Sequence, residues 1–216
     1  MRQSKDVVVI DYGLGNLLSV QRGLEYCGAT VAVSSDPSII LSASHVVLPG
    51  VGAFSDGMAE LRSRKLDEVV QEVAAQNTPL LGICLGMQML LSESEEFGIT
   101  AGLGLIPGRV IPIPSSDCDG SQQKIPHIGW NELVVSQDRE SWLDTLLGQV
   151  APGEAVYFVH SFMANPDDPK NRLADCIYGG CEIAAVISRN NVVGCQFHPE
   201  KSGEVGLKIL RSFLAI

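Results

Sequence analysis

The sequence predicts an α/β fold built on an open, mostly parallel central sheet, with helices on both faces and antiparallel strands added to it. Three observations predict this. Strand-length apolar runs alternate with helix-length stretches through the first half of the chain, and such βαβ alternation implies a parallel sheet covered on both faces. Beyond about residue 105 the rhythm changes to strands without intervening helices. Nothing repeats, and no linker divides the 216 residues, a length suited to one domain, residues 1–216, with a substantial core.

The elements follow in order. Residues 7–12 form a first strand, 16–27 a helix and 30–33 a second strand; a third strand ends at Leu48. A helical region covers 56–76. Residues 79–83 are a short apolar run of strand length, and 85–91 read as a helix with Gly86 close behind its start. Strands are then expected at 106–113, 132–135, 156–159, 173–178, 183–188 and 192–197. A closing helix, 203–214, carries an apolar face. "PSSDCDGSQQK", 114–124, is the clear polar loop.

Composition excludes several classes of function. Acidic residues outnumber basic ones, 25 to 15, which disfavours nucleic acid and anionic membranes as partners. No stretch approaches the length of a membrane span. The start, "MRQSKDVVVIDYG", has only four consecutive apolar residues and reads as a first strand, not a signal peptide. Six cysteines without close pairing then read as reduced thiols in a cytoplasmic protein. Charged residues make up 19% of the chain, below the usual quarter, leaving room for a buried partner surface.

One segment invites chemistry. "PLLGICLGMQML", 79–90, places Cys84 in a G-x-C-x-G pentapeptide where the strand gives way to a helix. This is the cysteine form of the nucleophile elbow, whose glycines permit a tight turn that lifts the side chain above the sheet. At a helix start, unpaired backbone N–H groups favour a thiolate. On the pentapeptide alone, a nucleophile and a buried core cysteine both remain open.

A cysteine nucleophile needs a base, and the base needs an orienting group. His198 follows an apolar strand in "VVGCQFHPEKS" and precedes Pro199 and Glu200. Residues two apart in extended backbone point the same way, so Glu200 can reach back to one ring nitrogen and leave the other for Cys84. Cys195-x-x-His198 also has metal-like spacing, but no second ligand pair accompanies it, and core packing is the better account. His45 reads as a strand-edge residue; His127 and His160, in "IPHIGWN" and "YFVHSF", read as structural rather than as the base. Acyl transfer also needs an oxyanion hole. The N–H of Leu85 is one donor, and "LPGVGAF", 48–54, offers a second because Gly50 and Gly52 let backbone amides approach a ligand. "DYGLGNLL", 11–18, contains G-x-G but has Leu18 in place of the third glycine of a dinucleotide loop, so a glycine turn into a helix near Asn16 fits better.

Together these segments resemble the class I glutamine amidotransferase family. "GICLGMQ" and "FHPE" carry the general likeness; "DYGLGN", "LPGVGAF", "IPHIGWN", "YFVHSF" and "QFHPEKS" resemble the glutaminase subunits of imidazole glycerol phosphate synthases. Leu14 stands where that family often has proline, Phe162 where tyrosine is common, and the 114–124 loop is longer than usual. The resemblance implies a flavodoxin-like amidotransferase fold and a Cys84–His198–Glu200 triad that hydrolyses glutamine through a γ-glutamyl thioester. It further implies that Gln88, Ser161 and Phe162 help hold glutamine, that the 49–52 segment with Gly50, Val51 and Gly52 completes the oxyanion hole with Leu85, and that neither cofactor nor metal is needed. Asn16, Tyr157, His160 and Lys201 match positions near the surface for a cyclase partner, which would receive the ammonia. The phosphorylated acceptor would bind that partner, since this acidic chain has no P-loop and no cluster of Lys and Arg. Sister amidotransferases, a surface-sugar paralogue, a γ-glutamyl hydrolase and a binding module of the same fold are the competing readings. A glycine-flanked peptide at Gly50 or Gly52 can turn over at little steric cost, so the isolated chain is expected to be nearly idle until its partner is present.

Overall fold

Apolar runs in the N-terminal half become neighbouring strands because each sends side chains to both faces of a sheet. The computed structural model describes residues 6–137 and 139–216. In β1 (Asp6–Ile10), Val7 and Val9 enter one buried cluster while Val8 and Ile10 enter the other. β3 (His45–Leu48) divides likewise, Val47 against Val46 and Leu48, and β4 (Leu80–Ile83) sends Leu81 and Ile83 one way and Leu80 the other. Such period-two alternation with both faces apolar is what a two-sided core demands.

With β2 (Thr30–Ser34) outside β1 and β14 (Val192–Cys195) beyond β4, five strands run parallel in the order β2-β1-β3-β4-β14. β13 (Cys181–Arg189), β12 (Arg172–Tyr178) and β9 (Val134–Val135) extend this sheet antiparallel to eight strands. Two smaller sheets accompany it. β8 (His127–Glu132) pairs with β10 (Ala155–His160), and the other sheet has the order β11-β7-β5-β6, from Phe162–Pro166, Ile106–Pro112, Leu91–Ser94 and Thr100–Ala101. Helices α1 (Leu17–Tyr26) and α6 (Gly203–Ala215) bury Val20, Leu24, Ile209, Leu210 and Phe213 in one cluster. α3 (Phe54–Ser63) and α4 (Leu66–Ala75) bury Phe54, Met58, Leu61, Val70 and Val73 in the other. Full burial of each such side chain contributes roughly 1.5–3 kcal/mol, which is what fastens both layers.

Several elements depart from the expectation. The region 56–76 is two helices, not one, broken at Arg64 and at Lys65, which takes the left-handed conformation (φ 56°). Leu61 and Leu66 are both fully buried; in one continuous helix, residues five apart would point well apart, so the break lets both reach the core. A short helix α2 (Pro37–Leu41) was not expected. Its signal is local: Pro37 occupies the first turn and the Asp36 carboxylate accepts from Ser38 N–H at 2.8 Å. The helix after Cys84, α5, ends at Met89, and Leu91 already pairs with Ile106. "MQMLL" is an apolar run that periodicity alone cannot assign. β8 covers "HIGWNE", ahead of the expected 132–135 strand, and β10 and β11 extend the 156–159 strand into a longer path. Among the described residues no helix is long and apolar enough to cross a membrane.

The elbow after β4 packs against β3 with no room to spare. A Cβ on Gly86 would lie 1.8 Å from the Leu48 carbonyl oxygen, and one on Gly82 would lie 2.8 Å from the backbone of Gly86 and Met87. Gly86→Ala is therefore expected to lower stability by about 3 kcal/mol, a fall in Tm of roughly 6–12 °C for a chain of this size, measured by thermal unfolding. A Tm within a degree of the parent's would show that α5 is free to move away from β3.

Candidate active site

β4 ends at Ile83, and the chain turns at Cys84 straight into the five-residue α5 (Leu85–Met89). Cys84 adopts φ 54° and ψ −111°, a conformation that costs a non-glycine residue on the order of 1–3 kcal/mol. Backbone hydrogen bonds hold it there. The Cys84 N–H donates to the Cys195 carbonyl at 2.8 Å, and the Cys84 carbonyl accepts from Gln88 N–H at 3.2 Å. The sulfur lies 4.0 Å from the Val159 carbonyl oxygen and receives the Gln196 side-chain amide at 3.8 Å. Cys84 is 8% exposed: accessible from one side only.

β14 delivers the second group. It runs parallel to β4 with Cys195 opposite Ile83, so the chain beyond each strand emerges at the same edge. His198 donates its N–H to the Tyr157 carbonyl at 3.0 Å, and its own carbonyl accepts the Ser202 hydroxyl at 2.6 Å. Its Nδ1 lies 2.7 Å from Glu200 Oε1, with both side chains almost wholly buried. Glu200 reaches back from a 3-10 turn, Pro199–Lys201, rather than from extended backbone; the proline that ends strand pairing also starts this turn. Burial disfavours the imidazolium, but hydrogen bonds to Cys84 and Glu200 and their negative charge outweigh it, and the His198 pKa is pushed up to about 9. A proton thus sits on His198 at neutral pH.

Cys84 and His198 open into a cavity of about 380 Å³. Val51, Gly52, Leu85, Gln88, Ser161, Phe162, His160 and Lys201 all line it, so the sequence-derived substrate residues converge there apart from Gly50. Gly50 lies buried just behind: a Cβ on it would meet the Tyr12 hydroxyl at 2.6 Å and Gly86 N at 2.9 Å. The Tyr12 hydroxyl donates to the Pro49 carbonyl at 2.9 Å, which fixes the start of the 49–52 segment against β1. Gly52 has φ +98° and open space around it. Among the described residues the N–H groups of Val51, Gly52 and Leu85 have no protein acceptor; Leu85 is buried, and Val51 and Gly52 are exposed.

The four residues matched to a partner surface are not alike. Asn16 precedes α1, Tyr157 stacks edge-on against the exposed Trp130 with ring centres 6.1 Å apart, and Lys201 is exposed at the rim of the cavity. His160 is buried instead, its Nδ1 2.8 Å from the Phe162 carbonyl oxygen. Cys195 lies wholly in the core, where burial raises its pKa.

Two polar residues escaped the sequence reading, and the contact of a third, His127, did so too. Gln196 is fully buried and joins Gln88 to the Cys84 sulfur. Glu96 lines the cavity and accepts the Phe54 N–H at 2.7 Å. His127 contacts His160 at 3.0 Å. The signal for Gln196 was its place in an apolar strand end two residues before His198; nothing in the sequence joined Glu96 to the site.

Comparison with known proteins agrees with this geometry. The family described as glutamine amidotransferase class-I matches residues 8–216. Imidazole glycerol phosphate synthase subunit HisH 1 of Legionella pneumophila (strain Lens) is 55% identical over 210 residues, covering 97% of this chain and 99% of that protein. The HisH subunit of Methanosarcina acetivorans is 49% identical over 211 residues, covering 97% and 98%. The structure of PurLQS from Thermotoga maritima superposes with a TM-score of 0.72 at 20% identity, covering 99% of each chain, a likeness of fold. With a buried cysteine elbow, a histidine–glutamate pair beside it and near-complete matches to these relatives, the chain belongs to the class-I glutamine amidotransferases and, within them, to the HisH family.

Proposed function

We propose that this chain is the glutaminase subunit of an imidazole glycerol phosphate synthase and acts as a single amidotransferase domain in the cytoplasm. The observation that carries the reading is the opening of Cys84 and His198, the latter held by Glu200, into one cavity that Val51, Gly52 and Leu85 also line. The names and coverage of the HisH relatives support the choice of pathway.

The chemistry follows from the geometry. Cys84 Sγ attacks the side-chain carboxamide carbon of glutamine, and the oxygen, gaining negative charge, turns to the N–H of Leu85 and the 51–52 segment. His198, already carrying a proton, gives it to the leaving nitrogen, so ammonia departs and a γ-glutamyl thioester remains. Water then attacks the thioester; His198 takes its proton, the C–S bond breaks, and glutamate leaves with the thiolate regenerated. Glu200 holds the Nδ1–H of His198 and keeps Nε2 turned towards sulfur. Glu96 brings a carboxylate to the cavity wall, which suits the ammonium group of glutamine, and Gln88, Ser161 and Phe162 bound its chain. Ammonia then passes to a cyclase subunit. Ile128 and Trp130, 55% and 60% exposed on β8, support a docking face there, alongside Asn16, Tyr157 and Lys201.

Cys84→Ala is expected to abolish glutamine-dependent synthesis by the complex and to leave synthesis from ammonium salts intact. Residual glutaminase turnover near the parent level would refute the thioester route. A second expectation concerns His198. Its folded pKa, about 9, exceeds the value of about 6.5 in the unfolded chain, so its contribution to stability is complete below about 6.5 and is lost as pH rises through about 9. Wild type should therefore lose stability relative to His198→Asn across that window in denaturant titrations, and Glu200→Gln should bring the imidazole midpoint down by NMR. A flat difference with pH would break the assignment. Third, glutamate formation should be slow for the isolated chain and rise by about 10²–10³, the worth of one oxyanion donor, when partner and acceptor analogue are added. Equal turnover by the isolated chain, the complex and the complex with acceptor analogue would favour a stand-alone hydrolase.

A further inference from the structure

A continuous line of hydrogen bonds runs from the surface at Asn131 of β8 inward to the sulfur of Cys84, and its polarity can be deduced bond by bond. At the far end, Asn131 Nδ2 donates to the Ile177 carbonyl at 2.9 Å, while Asn131 Oδ1 accepts the Glu132 N–H at 2.8 Å. Those two backbone groups fix which way the amide faces. Nδ2 therefore presents its second hydrogen to His127 Nε2, 3.4 Å away, and that nitrogen must be the bare acceptor.

The other end is fixed as firmly. The Phe162 carbonyl can only accept, so His160 Nδ1, 2.8 Å from it, carries a hydrogen. In a neutral ring His160 Nε2 is then an acceptor. It lies 3.0 Å from His127 Nδ1, which must donate. Both rings hold their hydrogen on Nδ1, and reversing either one sets two donors or two acceptors face to face. Burial, offset in part for His160 by the Phe162 carbonyl, holds both rings neutral with pKa values down at about 4.

The second lone pair of the Phe162 carbonyl takes Gln88 Nε2 at 3.1 Å, and the other hydrogen of that nitrogen goes to Gln196 Oε1 at 3.0 Å. Gln196 is thereby held with its NH₂ towards Cys84 Sγ, 3.8 Å away. Were Gln88 released from Phe162, the Gln196 amide would be free to turn its oxygen on the sulfur instead.

We propose that Asn131, His127, His160, Gln88 and Gln196 form one relay of fixed polarity that keeps an N–H donor on the Cys84 sulfur. The histidines and Gln196 are positioning residues, and the Cys84 sulfur is what they position. The proposal rests on the reading of Cys84 as nucleophile. The anchor of the relay lies on the inner side of β8, whose outer side carries the exposed Ile128 and Trp130. Displacement of that strand is therefore transmitted to the sulfur through five side chains and one carbonyl.

Two measurements on the full chain test this. In ¹⁵N NMR of the imidazoles, His127 and His160 are both expected as neutral Nδ1–H tautomers, unchanged from about pH 5 to about pH 8, the range in which free histidine titrates. An Nε2–H tautomer or a titrating ring at either position would overturn the relay, whatever the fate of any variant. The second measurement is alkylation of Cys84 by iodoacetamide, followed on its own peptide by mass spectrometry. Gln196→Leu should slow it by about 10-fold to 100-fold, the worth of one hydrogen bond to a charged group. His127→Phe keeps a ring between Phe158 and Tyr178, which stack on His127 at 4.8 and 4.0 Å, and should slow it in the same direction. The double variant should be no slower than Gln196→Leu alone, because both changes remove the same donor. Multiplicative losses would show two independent effects and refute the relay. Glutaminase activity surviving in Cys84→Ala would instead sink the nucleophile reading and leave the tautomers as found, so the two failures are distinguishable.

Discussion

The parallel pairing of β14 with β4 is the contact on which the site depends. Cys84 and His198 are separated by more than a hundred residues, yet each stands just beyond the end of one of two adjacent strands, and the register of Cys195 opposite Ile83 sets them level. A slip of one residue would turn every side chain of β14 to the opposite face, exchanging the buried Val193 and Cys195 with the other layer and carrying His198 away from sulfur. The core therefore enforces the register that the chemistry needs. The hydrogen bond from Cys84 N–H to the Cys195 carbonyl is its last rung.

Strain at the elbow is tolerated because its surroundings leave no relaxed alternative. The left-handed φ of Cys84 is bracketed by a strand anchored on both sides and by α5, whose second residue sits on the Leu48 carbonyl. Several polar groups around it are matched: Tyr12 to Pro49, Ser202 to both His198 and Tyr157, Gln88 to Phe162 and Gln196. A network in which most members have one permitted orientation is rigid in the sense that matters for catalysis, since donors need not reorganise as charge develops.

The legible part of the fold was the part fixed by local pattern. Apolar runs at β1, β3, β4 and β14 announce themselves, and so do the glycines around Cys84 and the proline after His198. What escaped was decided at a distance. The helix break at Lys65 exists because Leu61 and Leu66 both need the core, and the early end of α5 exists because Leu91 finds Ile106. Within the site, Cys84, His198 and Glu200 could be named from spacing and motif. Gln196 and Glu96 could not, because a buried amide or carboxylate acquires meaning only from the groups folded against it. His127 and His160 were read as structural; their hydrogen-bond partners give that description a direction and an end point at sulfur.

The contact between Gly86 and Leu48 has a mechanical consequence. Close-packed backbone is nearly incompressible, so α5 and the end of β3 form a fixed point with no play, and the 49–52 segment begins directly beyond it. The Tyr12 hydroxyl holds the Pro49 carbonyl as well, so the segment has no slack at its start. Backbone freedom begins only further along, at Gly52, where φ is +98° and the surroundings are open, and the nucleophile is seated on the rigid side of that boundary.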